Sequence, residues 1–194
     1  METDELKKKA REEGVPIIQD AGLSFLLELI EKENCRDILE LGTAVGYSSI
    51  AMASLRKDIV IDTVEKDETM IREAEENIRR AGLEGRIILH ALPIEEFHTD
   101  KKYDLIFVDA AKAQYGRYTE QFLDNLKEEG VMVYDNMIFH GMIYHPDDLK
   151  NRGTRSMVRK ILRFRESVQK DERFDIMMYD TIGDGIMVLR RSKS

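Results

Sequence analysis

The sequence predicts a doubly wound α/β fold in which a mostly parallel sheet of seven strands carries helices on both faces. Short runs rich in Ile and Val alternate with longer amphipathic stretches, the pattern of parallel strands joined by helical crossovers. The last two apolar runs are separated only by a turn-prone segment, which predicts an antiparallel C-terminal hairpin at one edge of the sheet. The arrangement expected is therefore Rossmann-like.

The predicted elements follow one another along the chain without a long linker. Strands are expected at residues 36–41, 59–64, 86–89, 103–108 and 131–134. Helices are expected at about 18–33 and then at 47–55, 68–82, 115–130 and 154–169. The helices at 68–82 and 115–130 run into Gly82 and Gly130, and glycine is a common residue at a helix C-terminus. The final hairpin pairs FDIMMYD with GIMVLRR around the turn TIGD.

Length and composition indicate a single domain. The chain has 194 residues, 42% of them hydrophobic and 35% charged, which suits one compact core. We expect a helical segment at 1–33, a core at 34–136 with the candidate binding residues, a loop and basic helix at 137–172, and the hairpin at 173–194. A single cysteine and the lack of an apolar secretory signal predict a cytoplasmic protein.

Charge is distributed unevenly along the chain. The net charge of −8 argues against a uniformly basic nucleic-acid-binding protein. Residues 150–173 nevertheless contain nine Lys/Arg against three Asp/Glu, a local balance of +6. Segregation of this kind is typical of a surface that faces a polyanion.

A glycine loop follows the first predicted strand. Gly42 and Gly46 stand in a G-x-x-x-G spacing, which differs from the G-x-G-x-x-G of dinucleotide-binding folds and lacks the Lys-Ser/Thr of a phosphate-binding loop. Glu65 ends the second strand, where an acid can accept hydrogen bonds from two ribose hydroxyls. A nucleoside without a pyrophosphate fits both features, and S-adenosylmethionine is the leading candidate.

Oxygen-bearing side chains end the next two strands. Asp109 follows the fourth strand, and Asp135 and Asn136 follow the fifth. Because parallel strands end at one edge, we expect these side chains to converge, and their hard oxygens suit Mg²⁺ or Ca²⁺. Lys112 would lie beside the cation, where it could act as a general base. The four histidines and the single cysteine lack the spacing of zinc ligands.

Several motifs together resemble a known family. ILELGTAVGYSSIAMA, VEKD, FVDAAKAQY and VYDNMIFHG resemble the cation-dependent class I O-methyltransferases, which include catechol and caffeoyl-CoA O-methyltransferases. The resemblance implies Mg²⁺ bound by Asp109, Asp135 and Asn136, with Lys112 as the catalytic base. It also implies a homodimer. The S-adenosylmethionine contacts that it implies come from Ile18, Gly42, Ser48, Glu65, Ala91 and Asp109.

A narrower resemblance concerns the methyl acceptor. EEGVPII, DAAKAQY, DNMIFHGMI and NRGTRSMVRKILRFRE are similar to segments of bacterial tRNA 5-hydroxyuridine methyltransferases. This implies methylation of 5-hydroxyuridine at the wobble position of the tRNA anticodon loop, giving 5-methoxyuridine.

The basic stretch favours the same acceptor. Its arginines recur at three- and four-residue spacing and would form one helical stripe for an RNA backbone. The residues of this stripe are Arg152, Arg155, Arg159 and Arg163. Tyr115, Tyr144 or Phe139 could stack on a splayed-out base.

Two alternatives remain open. Vicinal oxygens are what the proposed cation would bind, and both 5-hydroxyuridine and a small catechol-like acceptor carry them, so the metal residues do not choose between the two. The second alternative is a non-catalytic module that binds S-adenosylmethionine or a nucleoside. That alternative predicts a missing metal ligand or a missing base, whereas all four residues are present.

Overall fold

The computed structural model of this chain describes residues 3–193, with Thr3 lacking a described side chain. The strands are β1 (Asp37–Leu41), β2 (Val60–Glu65), β3 (Ile87–Ala91), β4 (Tyr103–Val108), β5 (Leu126–Tyr134), β6 (Phe174–Tyr179) and β7 (Ile186–Arg191). They form one sheet in the order β3-β2-β1-β4-β5-β7-β6. The first five strands are parallel, and β7 runs antiparallel to both β5 and β6. The predicted sheet and its C-terminal hairpin are confirmed. The predicted domain limits, residues 1 and 194, lie outside the described residues.

Within residues 3–193, six α-helices accompany the sheet. They are α1 (Thr3–Glu12), α2 (Asp20–Lys32), α3 (Tyr47–Leu55), α4 (Glu68–Arg80), α5 (Tyr115–Phe122) and α6 (Arg152–Gln169). Side chains cap two of them: Asp67 accepts hydrogen bonds from the backbone N–H groups of Thr69 and Met70 at the start of α4, and Asn151 accepts one from Thr154 in α6. Within residues 3–193, none of these helices is long and apolar enough to cross a membrane.

Alternating side chains of the central strands build a core on each face of the sheet. In β4, Leu105 and Phe107 join the core beneath helices α1 to α4, whereas Ile106 and Val108 join the core beneath α5 and α6. All four side chains are at most 1% exposed. A strand that is apolar on both faces is what a sheet covered on both sides requires. The doubly wound arrangement follows from this pattern.

The predicted helix at 115–130 is wrong in its second half. Helix α5 ends at Phe122, and after a short 3₁₀ turn the chain enters β5 at Leu126. Gly130 is therefore not a helix stop but a strand residue. A Cβ there would lie 2.9 Å from the Leu126 side chain and 3.1 Å from the carbonyl oxygen of Asp104, so the close approach of β4 requires glycine.

Hydrogen-bond donors surround a buried carboxylate at the centre of β2. Asp62 is 5% exposed and accepts hydrogen bonds from Lys101 Nζ at 2.8 Å and Tyr103 OH at 3.2 Å, and it pairs with His90 Nε2 at 2.7 Å. Burial alone would raise the pKa of Asp62, but the hydrogen bonds from Lys101 and His90 outweigh it and hold the pKa below its usual value. This cluster ties β2 to β3 and to the start of β4.

Candidate active site

The parallel strands end at a common edge, where a cavity of about 390 Å³ opens. The edge contains the reversal of strand order, since the chain passes from β1 outwards to β2 and β3 and then returns to β4 on the other side of β1. Ligands of doubly wound sheets bind at such a point. The cavity is lined by the segment 15–18, the loop after β1, Glu65, the loop after β4, and Asp135 with Asn136.

The loop after β1 needs glycine at its first position. Gly42 has φ +103°, and a Cβ there would lie 2.3 Å from the backbone oxygen of Asp109. The N–H groups of Gly42 and Thr43 both donate to the carbonyl oxygen of Val64, at 3.1 and 3.3 Å. Gly42 therefore lets three strand ends pack closely around the cavity.

The carboxylate of Glu65 is fixed by backbone N–H groups. One oxygen accepts a hydrogen bond from Ala44 at 3.0 Å, and the other accepts from Lys66 at 2.8 Å and Asp67 at 3.0 Å. The side chain remains partly exposed along the cavity wall. The sheet thus presents an oriented acceptor at the end of β2, as expected for a group that would bind ribose hydroxyls.

A second acid lies behind the same wall but is fully buried. Glu40 in β1 is 0% exposed and accepts hydrogen bonds from the hydroxyls of Ser48, Ser49 and Thr63. Burial raises the pKa of Glu40 to about 7, although the three hydroxyl donors act in the opposite direction. Ser48 lines the cavity, so this acid holds one of the candidate cofactor residues in place.

Asp109 and Asp135 lie together at the ends of β4 and β5. Asp135 is 1% exposed, and its Oδ1 accepts a hydrogen bond from the backbone N–H of Asn136 at 2.7 Å. Burial raises the pKa of both acids, and the charge of Asp109 adds to the effect on Asp135. In the described part of the chain, neither carboxylate has a Lys, Arg or His nitrogen within 4.0 Å. Two neighbouring acids without an ion-pair partner are what a bound cation would stabilise.

The donor set suits a hard divalent cation. Asp109, Asp135 and Asn136 all line the cavity and offer only oxygen ligands in their carboxylate and amide carbonyl groups. Three protein ligands leave positions for water or substrate in a six-coordinate Mg²⁺ site. Among residues 3–193, no cluster of three or more Asp, Glu, His or Cys side chains is suited to a metal, so Asn136 is needed to complete this set.

Lys112 enters the same cavity from a short 3₁₀ turn after β4. The turn spans Lys112–Gln114, and the side chain of Lys112 is partly buried. Its positive charge acts to lower the pKa of both Asp109 and Asp135. Within the described residues, its ammonium forms no ion pair within 4.0 Å, in contrast to Lys101 and Lys127.

The structure brings together most of the residues predicted from the sequence. Those that line the one cavity are Ile18, Gly42, Ser48, Glu65, Asp109, Lys112, Asp135 and Asn136. Ala91 does not line the cavity. This residue ends β3 beside Glu65, and its contact with the cofactor stays a prediction. The next turn of the chain contributes Ile94 and Glu95 to the wall instead. Sequence reasoning missed both, because the loop after β3 carries no distinctive motif.

The predicted aromatic stacking residues differ in their accessibility. The suggestion that Tyr115 stacks on a base is wrong, because this side chain is 1% exposed and its hydroxyl donates to the backbone oxygen of Asp135 at 2.9 Å. Phe139 is half-buried, whereas Tyr144 is 54% exposed. Tyr115 instead supports the end of β5 from beneath.

The arginine stripe has a surface recess of its own, separate from the cavity. The residues that line this recess are Arg152, Arg155, Ser156, Arg159 and Arg163. Arg159 pairs with Asp147 at 2.9 Å, which reduces the local positive charge. The opposite side of α6 is anchored by buried Val158 and Ile161 and packs near the turn that carries Lys112.

Comparison with known proteins gives consistent matches over most of the chain. A family model described as O-methyltransferase matches residues 3–192. A caffeoyl-CoA O-methyltransferase from Populus kitakamiensis is 33% identical over 186 residues, which are 91% of this chain and 77% of that protein.

Solved structures also match. A Staphylococcus aureus protein, named as a candidate caffeoyl-CoA O-methyltransferase, is similar with a TM-score of 0.95 and 32% identity, covering 99% of this chain and 93% of that one. A Podospora anserina methyltransferase bound to S-adenosylhomocysteine is similar with a TM-score of 0.78 and 26% identity, over 88% and 78% of the two chains.

Proposed function

This chain belongs to the O-methyltransferase family, and from that premise we propose that it transfers the methyl group of S-adenosylmethionine to one hydroxyl of an acceptor with two neighbouring oxygens. The observation that carries the proposal is the meeting of two acids, an amide and a lysine in one cavity with the glycine loop and Glu65. The methyltransferase bound to S-adenosylhomocysteine supports the choice of cofactor. A non-catalytic binding module would lack a metal ligand or the base. The chain has all four of these residues, which argues against that alternative; they are Asp109, Lys112, Asp135 and Asn136.

We propose that Gly42, Ser48 and Glu65 bind the cofactor and that Asp109, Asp135 and Asn136 hold a divalent cation, Mg²⁺ in the first instance. When bound, the cation supplies Lewis-acid chemistry that lowers the pKa of a hydroxyl and favours vicinal oxygens in the acceptor. Lys112 takes the proton of that hydroxyl while the carbon–sulfur bond of the cofactor breaks and the new carbon–oxygen bond forms. The acceptor oxygen would attack in line with the carbon–sulfur bond, and the residues that line the cavity would orient the acceptor for this attack.

A small ortho-dihydroxy aromatic compound is the first acceptor we propose. The caffeoyl-CoA O-methyltransferases among the relatives favour it over a nucleic acid. The test is transfer of labelled methyl to a simple catechol and to caffeoyl-CoA, with and without EDTA. We expect labelling that EDTA abolishes and that added Mg²⁺ restores. Full labelling in EDTA would contradict the role of the cation.

Lys112→Ala should separate binding from catalysis. We expect it to bind S-adenosylmethionine as the unaltered protein does and to lose about 10²–10⁴-fold in kcat, the usual contribution of a general base. Lys57→Ala is the matched control, because Lys57 is exposed and precedes β2, so it lies at the end of the strands that faces away from the cavity. Unchanged kcat in Lys112→Ala would exclude Lys112 as the base. Cofactor binding without turnover in either protein would favour the non-catalytic module.

The recess along α6 suits a polyanion such as RNA, and with the sequence resemblance it makes tRNA containing 5-hydroxyuridine the second candidate acceptor. Four arginines face one recess, and phosphate contacts of this kind depend strongly on salt. In this case Arg152→Glu/Arg163→Glu should weaken methylation of the tRNA and flatten its salt dependence, while methylation of catechol is unaffected. Lys32→Glu/Lys57→Glu reverses the same number of exposed charges outside α6 and should change neither. No labelling of the tRNA by the unaltered protein would rule this acceptor out.

The homodimer implied by the sequence resemblance stays a prediction. Light scattering of the purified protein at micromolar concentration would test it.

A further inference from the structure

Asp184 is a buried acid that the proposed chemistry does not use. It lies in the turn between β6 and β7, and its side chain is 2% exposed. In the described part of the chain, its only basic neighbour within 4.0 Å is the ring of His140, at 3.7 Å. A buried carboxylate without a close cation is costly, so its contacts need an explanation.

The carboxylate of Asp184 is turned towards the residues that follow β5. One oxygen accepts a hydrogen bond from the side-chain Nδ2 of Asn136 at 3.3 Å, and the other accepts one from the backbone N–H of His140. The backbone of the same turn adds two more bonds: Met137 donates to Gly185 at 2.9 Å, and Ile138 donates to Asp184 at 2.9 Å. Asp184 and the loop after β5 therefore form one hydrogen-bonded unit.

This unit holds a loop with an unfavourable backbone. The loop has three non-glycine residues with positive φ, in the left-handed region that residues other than glycine rarely adopt. They are Asn136 at +59°, Phe139 at +45° and His140 at +54°. Such conformations persist where surrounding contacts enforce them. The hydrogen bonds of Asp184 act on the first and the last of these three residues.

The contact between Asp184 and Asn136 has a direct consequence for the cavity. The donor in this contact is the side-chain nitrogen of Asn136, so the NH₂ end of the amide faces the Asp184 carboxylate. The carbonyl end of a planar amide points away from the NH₂ end, and Asn136 lines the cavity. The hydrogen bond thus selects which end of the amide the cavity receives.

We propose that Asp184 is a positioning residue that acts through Asn136, turning the amide oxygen towards the divalent cation. The inference rests on the proposed function, since the cation is the group that this oxygen would bind. Partners that orient metal ligands in this way commonly contribute about 10–100-fold to metal affinity.

Asp184→Asn is the first variant to test, with Mn²⁺ as the probe. The oxygen of the new amide can still accept from the N–H of His140, but its NH₂ group then faces Asn136. The Asn136 amide has to rotate, and it presents NH₂ instead of oxygen to the cavity. We expect Mn²⁺ affinity, measured from the spin-resonance signal of free Mn²⁺, to fall by about 10–100-fold. Affinity for S-adenosylmethionine, measured by calorimetry, should change less than about twofold, because Asp184 bonds to none of the proposed cofactor residues Gly42, Ser48 and Glu65.

Exchanging the two side chains should restore binding. In Asp184→Asn/Asn136→Asp, the carboxylate at 136 accepts from the NH₂ at 184 and still offers an oxygen to the cation, with the total charge unchanged. We expect Mn²⁺ affinity to return most of the way to that of the unaltered protein. This variant also keeps the test valid if Asp184→Asn alone does not fold, which circular dichroism would reveal.

Asp180→Asn is the matched control. It removes a carboxylate from the same turn, but Asp180 bonds to Arg165 and Tyr144 rather than to Asn136. We expect it to bind Mn²⁺ normally. Equal weakening in Asp180→Asn and Asp184→Asn, or an exchanged variant that stays as weak as Asp184→Asn, would overturn the positioning role and leave the metal site standing. If the unaltered protein leaves the Mn²⁺ signal unchanged, the metal site and this inference both fail.

Discussion

Replacing Glu40 by glutamine removes a buried charge that the folded protein holds at a cost. The side chain is 0% exposed, and in the described residues its hydrogen-bond partners are the hydroxyls of Ser48, Ser49 and Thr63 rather than a cation. Glutamine has the same shape, and hydroxyl groups can rotate to accept from its NH₂ group. The substitution therefore changes the charge with little change in packing.

The size of the effect follows from the pKa of Glu40. Burial raises this pKa from 4.5 to about 7. Between these two values the folded state binds more protons than the unfolded state, so the free energy of unfolding falls as the pH rises through this window. The loss contributed by Glu40 is complete above about pH 7 and amounts to about 3 kcal/mol. Glutamine does not titrate, so the free energy of unfolding of the variant does not fall in this way as the pH rises.

Urea denaturation followed by circular dichroism between pH 4 and pH 8 measures the effect. Near pH 4, below the pKa of glutamate in the unfolded chain, the two proteins should have similar stability, because Glu40 is protonated in both states and resembles glutamine. At pH 8 Glu40→Gln should be more stable by up to about 3 kcal/mol. Glu128→Gln, at an exposed position in β5, is the control and should parallel the unaltered protein. Parallel curves for Glu40→Gln would refute the reasoning, since they would mean that the three hydroxyls fully offset the burial of the charge.

Three further predictions follow from the same structure. Gly42→Ala should lower both the melting temperature and the affinity for S-adenosylmethionine, because the new Cβ would lie 2.3 Å from the backbone oxygen of Asp109. Gly82→Ala is the control: Gly82 has φ +66° and open space around it, so this variant measures the cost of the backbone strain alone, about 1 kcal/mol. Asp62→Asn should be less stable than the unaltered protein at pH 7. The difference in the free energy of unfolding, measured in urea, should shrink as the pH falls below 3.8 towards the lowered pKa of Asp62, because the unaltered protein then loses its favourable carboxylate contacts. An equal difference at pH 3 and pH 7 would contradict this. Cys35 should react with a thiol reagent at pH 8 only in denaturant, because burial raises the pKa of this thiol to about 12; rapid labelling of the native protein would exclude that.

The sequence is most informative about elements with strong apolar periodicity. It predicts β4 at residues 103–108, and the structure has it there, because a run buried on both faces has a clear pattern and clear ends. The prediction of a helix from Tyr115 to Gly130 is wrong in its second half, because LDNLKEEG continues a helical spacing. Pairing of Leu126 with Tyr103 in β4 turns this segment into strand, and a single sequence does not contain that long-range contact.

The candidate site shows the same division. Asp109 and Asp135 could be placed together from the sequence, because parallel strands that lie side by side end at the same edge. The strand order β1-β4-β5 meets this requirement. Ala91 follows the same rule but ends an outer strand, β3, and the wall there is formed by Ile94 and Glu95 from the next turn. Strand ends thus locate the site, whereas the loops decide which side chains enter it.

Asp184 could not be found by this rule, and the reason lies in the direction of β7. Because β7 runs antiparallel to β5, its first residues pair with the last residues of β5, with Met187 opposite Tyr134. The turn that precedes β7 therefore reaches the edge where the parallel strands end, and it places Asp184 against Asn136. A sequence pattern predicts the hairpin but not which strand it pairs with, so the order β5-β7-β6 has to be known first. An antiparallel strand added to a parallel sheet can thus supply supporting residues to a site whose ligands come from the parallel strands, and Asp184 is where the proposed Mn²⁺ measurements would test this.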